Sequence, residues 1–184
     1  MWVCVGLAIA GAIALTLYLI EKCKKYSLKG VLLKTVTSLF FVSIALYASY
    51  LKSGHIMNTL VIIGLLLGLS GDIWLDLKYV YPKDDKIYTY SGFIAFGVGH
   101  ILFISGMFIE YFNNAHVLYA ILPFVIAIVM AFGNLFLAKP LKLKFGELTP
   151  IVFIYSILLF SLPLSALSLC PLFQTRKKTP LCAF

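Results

Sequence analysis

Three ionisable residues interrupt long apolar runs. Asp72 and Asp76 close the stretch Gly64-Leu-Leu-Leu-Gly-Leu-Ser-Gly-Asp-Ile-Trp-Leu-Asp, and His100 ends the stretch Gly92-Phe-Ile-Ala-Phe-Gly-Val-Gly-His. An Asp at the centre of a membrane helix costs about 2.5–3.5 kcal/mol on insertion scales, so such groups face a bundle interior or a wet cavity and are candidates for function. A spacing of four puts both carboxylates on one helix face. Paired carboxylates in a low-dielectric pocket resist double ionisation, so one can act as a general acid near neutral pH while the other carries charge. Asp76 reads either as this second site carboxyl or as an interfacial residue beside Lys78. His100 reads either as a hydrogen-bonded core histidine or as a proton donor, acceptor or orienter of Asp72.

The elements that must position these residues are membrane helices. The chain is 62% hydrophobic and 12% charged, against about 45–50% and 25% in soluble domains. The excess lies in long runs separated by short polar breaks, and nothing alternates like a barrel strand. The fold class is therefore all-α, a polytopic transmembrane bundle occupying residues 1–169, with a short basic irregular tail over 170–184. Six spans are predicted: Trp2–Ile20, Gly30–Leu51, Ile56–Leu77, Tyr88–Glu110, His116–Ala138 and Leu148–Leu169. Loops one, three and five carry ten lysines, whereas loops two and four carry only Lys52. Lys and Arg collect in cytoplasmic loops, so the odd loops are expected inside and the N-terminus outside. Six spans then return the C-terminus to the outside, against the charge of Arg176-Lys177-Lys178. The expected location is the cell membrane, or an endomembrane in a eukaryote.

This topology sets Lys34, Asp72, Asp76, Ser91, Asn134 and Tyr155 in the cytoplasmic half of the membrane, with His100 deeper, and implies one polar cavity opening to the cytoplasm. Lys34 has three readings: it snorkels to the interface, pairs with Asp72, or binds a lipid phosphate. Gly64 and Gly68 form a small-xxx-small pair, and Gly92, Gly97, Gly99 and Gly106 thin the next helix, so the two are expected to pack closely and bring His100 toward Asp72. Phe93 and Phe96 either pack or line an acyl channel.

The net charge of +8 sits in the turns, so no nucleic-acid partner is expected. No metal and no cofactor are expected either. His55 and His116 fall at the opposite membrane edge from His100, no HExxH occurs, and the four cysteines show no CxxC. No glycine-rich phosphate loop or nucleophile elbow supports a nucleotide-driven pump or a serine hydrolase.

The paired signature, Gly71-Asp72 at the end of one helix and Phe96-Gly-Val-Gly-His100 in the next, resembles the core of the YhhN family, the bacterial and animal lysoplasmalogenases. The resemblance covers roughly Leu32 to Leu169, with Lys34 at the family's Lys-Pro position (Thr35 replaces the proline) and Tyr155 at a helix-six tyrosine. It implies hydrolysis of the vinyl ether bond of lysoplasmalogens, with a lysophospholipid in the bilayer as substrate and a fatty aldehyde as one product. Asp72, His100 and Asp76 are then the candidate catalytic residues. Lys34, Ser70, Phe96, Asn134 and Tyr155 are the candidates for substrate contact. The family has about eight helices, a late one carrying a Ser-Asp pair. The residues after Leu169 are too short and basic to supply them, so a truncated or frame-shifted product, with activity impaired to match, is expected. Two alternatives stand beside the enzyme: a small transporter and a non-catalytic membrane protein.

Overall fold

The structure, a computed structural model, describes residues 2–24, 27–51, 56–111, 117–138, 140–143 and 145–178. His55, His116, Lys52 and the end of the basic tail, residues 179–184, lie outside the described residues. The helices are α1 (Trp2–Lys24), α2 (Leu28–Leu51), α3 (Ile56–Val80), α4 (Asp85–Tyr111), α5 (Val117–Ala138) and α6 (Thr149–Lys178). Short 3-10 turns at Pro82–Asp84 and Gly146–Leu148 lead into α4 and α6. No strand occurs among the described residues.

Among the described residues, six helices are long and apolar enough to cross a membrane. Helices satisfy every backbone donor and acceptor internally, which hydrocarbon requires. The hydroxyls follow the same rule: Thr16, Thr35, Thr37 and Ser43 each donate to the carbonyl four residues back. The solvent pattern is that of a membrane protein. Isoleucines, leucines and valines such as Ile9, Leu32, Ile94 and Val129 are exposed, while Thr37, Asp76, Thr89 and His100 are buried.

Helix ends are set locally. The Ser27 hydroxyl accepts from the Gly30 N–H at 3.3 Å, capping α2. Gly146 turns the chain into α6 at φ +54°, a left-handed conformation that a Cβ disfavours. At the other end, α6 runs to Lys178, past the predicted end of its span, so the Arg176–Lys178 stretch expected to be irregular is helical. Lys and Arg are good helix formers, and a helix leaving the bilayer has no reason to stop at the interface.

The chain divides into two compact units, Met1–Leu102 and Phe103–Phe184, the boundary falling within α4. In the first, α1 packs on α2 and α2 on α3, antiparallel: Gly11 meets Phe40, and Lys34 meets Asp76. The α3–α4 contact is a glycine seam. A Cβ on Gly99 would lie 3.0 Å from the Gly64 carbonyl oxygen, and one on Gly92 would lie 2.6 Å from the Leu75 side chain. The Phe96 ring lies against Gly71, where a Cβ would come within 2.7 Å. In the second unit, α5 and α6 pack together, with Phe132 against Phe153 at 4.9 Å, and Phe108 near the end of α4 stacks on Phe124 of α5 at 6.2 Å. Each buries small residues four apart, Ala127 and Ala131 on α5 and Ser161 and Ser165 on α6.

The seam makes a prediction. At Gly99 the neighbour is backbone and cannot rotate aside, so Gly99→Val should lower stability in detergent by about 1–3 kcal/mol, the usual cost of overpacking. Gly6, with nothing within 4 Å of its virtual Cβ, should accept Val with a change within about 0.5 kcal/mol. Thermal unfolding of the two variants side by side checks this.

Candidate active site

Asp72 and Asp76 project from α3 on one face, and α2 answers them with a cation. The Lys34 ammonium lies 3.2 Å from Asp72 Oδ1 and 3.3 Å from Asp76 Oδ1. Each carboxylate has a second donor on its other oxygen. The Ser38 hydroxyl donates to Asp72 Oδ2 at 2.7 Å, and the Tyr18 phenol donates to Asp76 Oδ2 at 3.0 Å. Three helices are thus joined by one cluster: Tyr18 from α1, Lys34 and Ser38 from α2, and the two acids from α3.

The arrangement answers the cost of burying charge. An ion pair in a low-dielectric interior is stable only when further hydrogen bonds satisfy its remaining lone pairs. Ser38 and Tyr18 supply those bonds, and bonds to an ionised acceptor are the stronger kind. With all three groups ionised the cluster carries one net negative charge; with one carboxyl protonated it is neutral. The two acids differ in access. The Asp76 side chain is 9% exposed and the Asp72 side chain 28%, so Asp72 is the more open of the two. Beside Asp76 a small cleft opens between the ends of α1, α2 and α3, lined by Tyr18, Lys22, Ser27, Gly30, Val31 and Val80. Lys22 lies over the Tyr18 ring, 5.4 Å from its centroid.

Of the three readings of Lys34, the geometry selects pairing, with Asp76 as well as Asp72. Ser70 donates to the Leu67 carbonyl at 2.7 Å within α3, a bond that turns it to its own helix. Phe96 sits on Gly71, next to Asp72 in sequence, as a packing partner. His100 is buried, and its Nδ1 lies 2.7 Å from the Phe96 carbonyl, which can only accept, so Nδ1 carries the proton. The close approaches of Gly99 to Gly64 and of Gly92 to Gly71 fix the α3–α4 register. They set His100 level with Ile63, nine residues and about 13 Å along α3 from Asp72. The close packing expected of α3 and α4 is present, but the approach of His100 to Asp72 expected from it is not: the seam's register carries His100 away, and Asp72 meets Ser38 and Lys34 instead. Asn134, exposed on α5, and Tyr155, half-buried on α6, belong to the second unit.

Tyr18 and Ser38 do not stand out in the sequence as site residues. Ser38 follows Lys34 by four and so shares its helix face, a signal available in the sequence. Tyr18 lies one turn before the lysines that end the first span, the depth at which Lys34 and Asp76 also lie.

A sequence model described as the YhhN family matches residues 30–183, most of the chain. No curated protein and no solved structure matches it.

The cluster predicts a stability coupling. Lys34→Met leaves two part-buried carboxylates facing each other and should destabilise the protein by about 1–3 kcal/mol, the cost of unsatisfied charged partners. Adding Asp72→Asn should recover part of that loss, because one charge and the repulsion go together. Denaturation of the wild type, both single variants and the double variant measures the coupling.

Proposed function

Because the chain belongs to the YhhN family, we propose that it hydrolyses the vinyl ether bond of lysoplasmalogens, releasing a fatty aldehyde and a glycerophospho-headgroup. The observation that carries this reading is the Lys34-bridged pair Asp72 and Asp76, set among apolar helices long enough to span a membrane.

A vinyl ether hydrolyses once its outer alkene carbon is protonated. The pair of electrons of the double bond takes the proton, and the carbon attached to oxygen becomes an oxocarbenium. Water adds there, and the resulting hemiacetal breaks its bond to the glycerol oxygen, which leaves as the alcohol. The sum consumes one water and yields one aldehyde and one alcohol.

The charge balance of the cluster suits each step. In its neutral state Asp72, the more open acid, holds the proton and gives it to the alkene carbon. The cluster then carries one negative charge beside the new cation, in a place where water is scarce and such attraction is strong. Asp76, held by Tyr18 and Lys34, stays as the fixed anion. The proton lost by the attacking water returns to Asp72 and closes the cycle. Lys34 limits the charge to one, so that the resting pair does not repel itself apart.

The test is aldehyde release from a lysoplasmalogen by the purified protein in proteoliposomes, with Asp72→Asn alongside. Asn keeps the size and the Ser38 hydrogen bond but cannot deliver the proton. The rate should fall by about 10²-fold or more, the usual share of general acid catalysis. Full activity in a folded Asp72→Asn variant would show that Asp72 is not the general acid.

A further inference from the structure

The first helix, although it precedes the residues matched to the family, does more than pack. Its face Gly11, Leu15, Tyr18, Lys22 runs in steps of four and three, so these side chains form one stripe. On α2, Phe41, Ser38 and Lys34 do the same in the opposite direction. The two stripes meet along the α1–α2 seam, and the seam changes character along its length. At one end is the cleft that reaches Asp76 and holds Lys22 and Ser27. In the middle is the ionic cluster. At the other end is an apolar groove of about 150 Å³, whose walls include Ala8, Ala12 and Leu15 of α1 and Phe41 and Ile44 of α2.

The groove begins one helical turn from the cluster on both helices: Leu15 precedes Tyr18 by three, and Phe41 follows Ser38 by three. It continues away from the cluster as far as Leu7, about 12 Å from Leu15 along the axis. Small residues make it: Gly11 lets Phe40 approach, and the exposed Ala8 and Ala12 leave the volume that larger side chains would fill.

We infer that this groove holds the hydrocarbon chain of the lysolipid, so that α1 sets which chains are accepted. The order along the seam, apolar groove, acids, polar cleft, matches the order of parts in a single-chain amphiphile: chain, linkage, headgroup. A molecule laid along it places the bond between chain and glycerol at the carboxylates. The assignment rests on the lysolipid reading of the cluster.

The experiment uses a saturated 1-O-alkyl lysophosphocholine with a diazirine in mid-chain, which binds but has no vinyl ether to cleave. The full-length chain in phosphatidylcholine vesicles is irradiated and the labelled peptides are mapped. Label should concentrate on residues 7–15 and 40–44 and be competed by the unlabelled alkyl lipid. Ala12→Phe and Ala8→Phe, each at an exposed position, should cut that labelling about tenfold, as expected when a couple of methylenes lose their apolar contact. Ile13→Phe, at an exposed position on the opposite face of α1, should not. Label spread evenly over the lipid-facing helices, or groove labelling unchanged by both alanine variants, overturns the inference. Groove labelling without aldehyde release from the vinyl ether counterpart upholds the groove and removes the hydrolytic reading instead.

Discussion

One ammonium held between two carboxylates is the constraint on which the first unit depends. None of the three groups is stable alone in hydrocarbon, and each finds its compensation on another helix. That requirement fixes the rotation of α2, because Lys34 must face α3. It fixes the rotation of α3, because positions 72 and 76 must face α2. The remaining oxygens then need donors, and α1 and α2 provide them through Tyr18 and Ser38. A cluster of this kind selects one arrangement of three helices out of the many that apolar packing alone would tolerate.

With one face of α3 committed to charge, the neighbouring face is left for α4. Gly64, Gly68, Gly71 and Leu75 occupy it, and the glycines let α4 come close enough for Gly99 to touch the Gly64 carbonyl. Trp74 and Tyr88 stack at 5.8 Å near the end of this seam, fixing the register at the interface where aromatic rings prefer to lie. The same register that anchors α4 carries His100 away from the acids. Close packing and functional proximity, which a sequence reading tends to join, are separate outcomes of one seam.

The spans are legible in the sequence because hydrophobic length is a one-dimensional property, and all six runs correspond to helices. The acid pair is legible because a carboxylate in an apolar run needs an explanation wherever it occurs. Lys34 is legible as unusual but not as to its partner, since snorkelling and pairing look alike until α2 is oriented. Tyr18 and Ser38 are not legible because both are ordinary in membrane helices; only the geometry distinguishes a hydroxyl that bonds its own helix, as Ser70 does, from one that crosses to a neighbour. The extension of α6 through Arg176–Lys178 is hidden for a different reason: charge marks the end of a span, not the end of a helix.

The bridging ammonium can be observed directly. Solid-state NMR of the protein in lipid bilayers, with ¹⁵N in the lysine Nζ and ¹³C in the aspartate carboxyls, reads the contact as dipolar dephasing of the Lys34 signal. The structure, with N···O separations of 3.2 and 3.3 Å to the two acids, predicts strong dephasing that weakens by a similar share in Asp72→Asn and in Asp76→Asn. A Lys34 signal untouched by the aspartate label, as from an ammonium turned out to water, would contradict the cluster and with it the site built upon it.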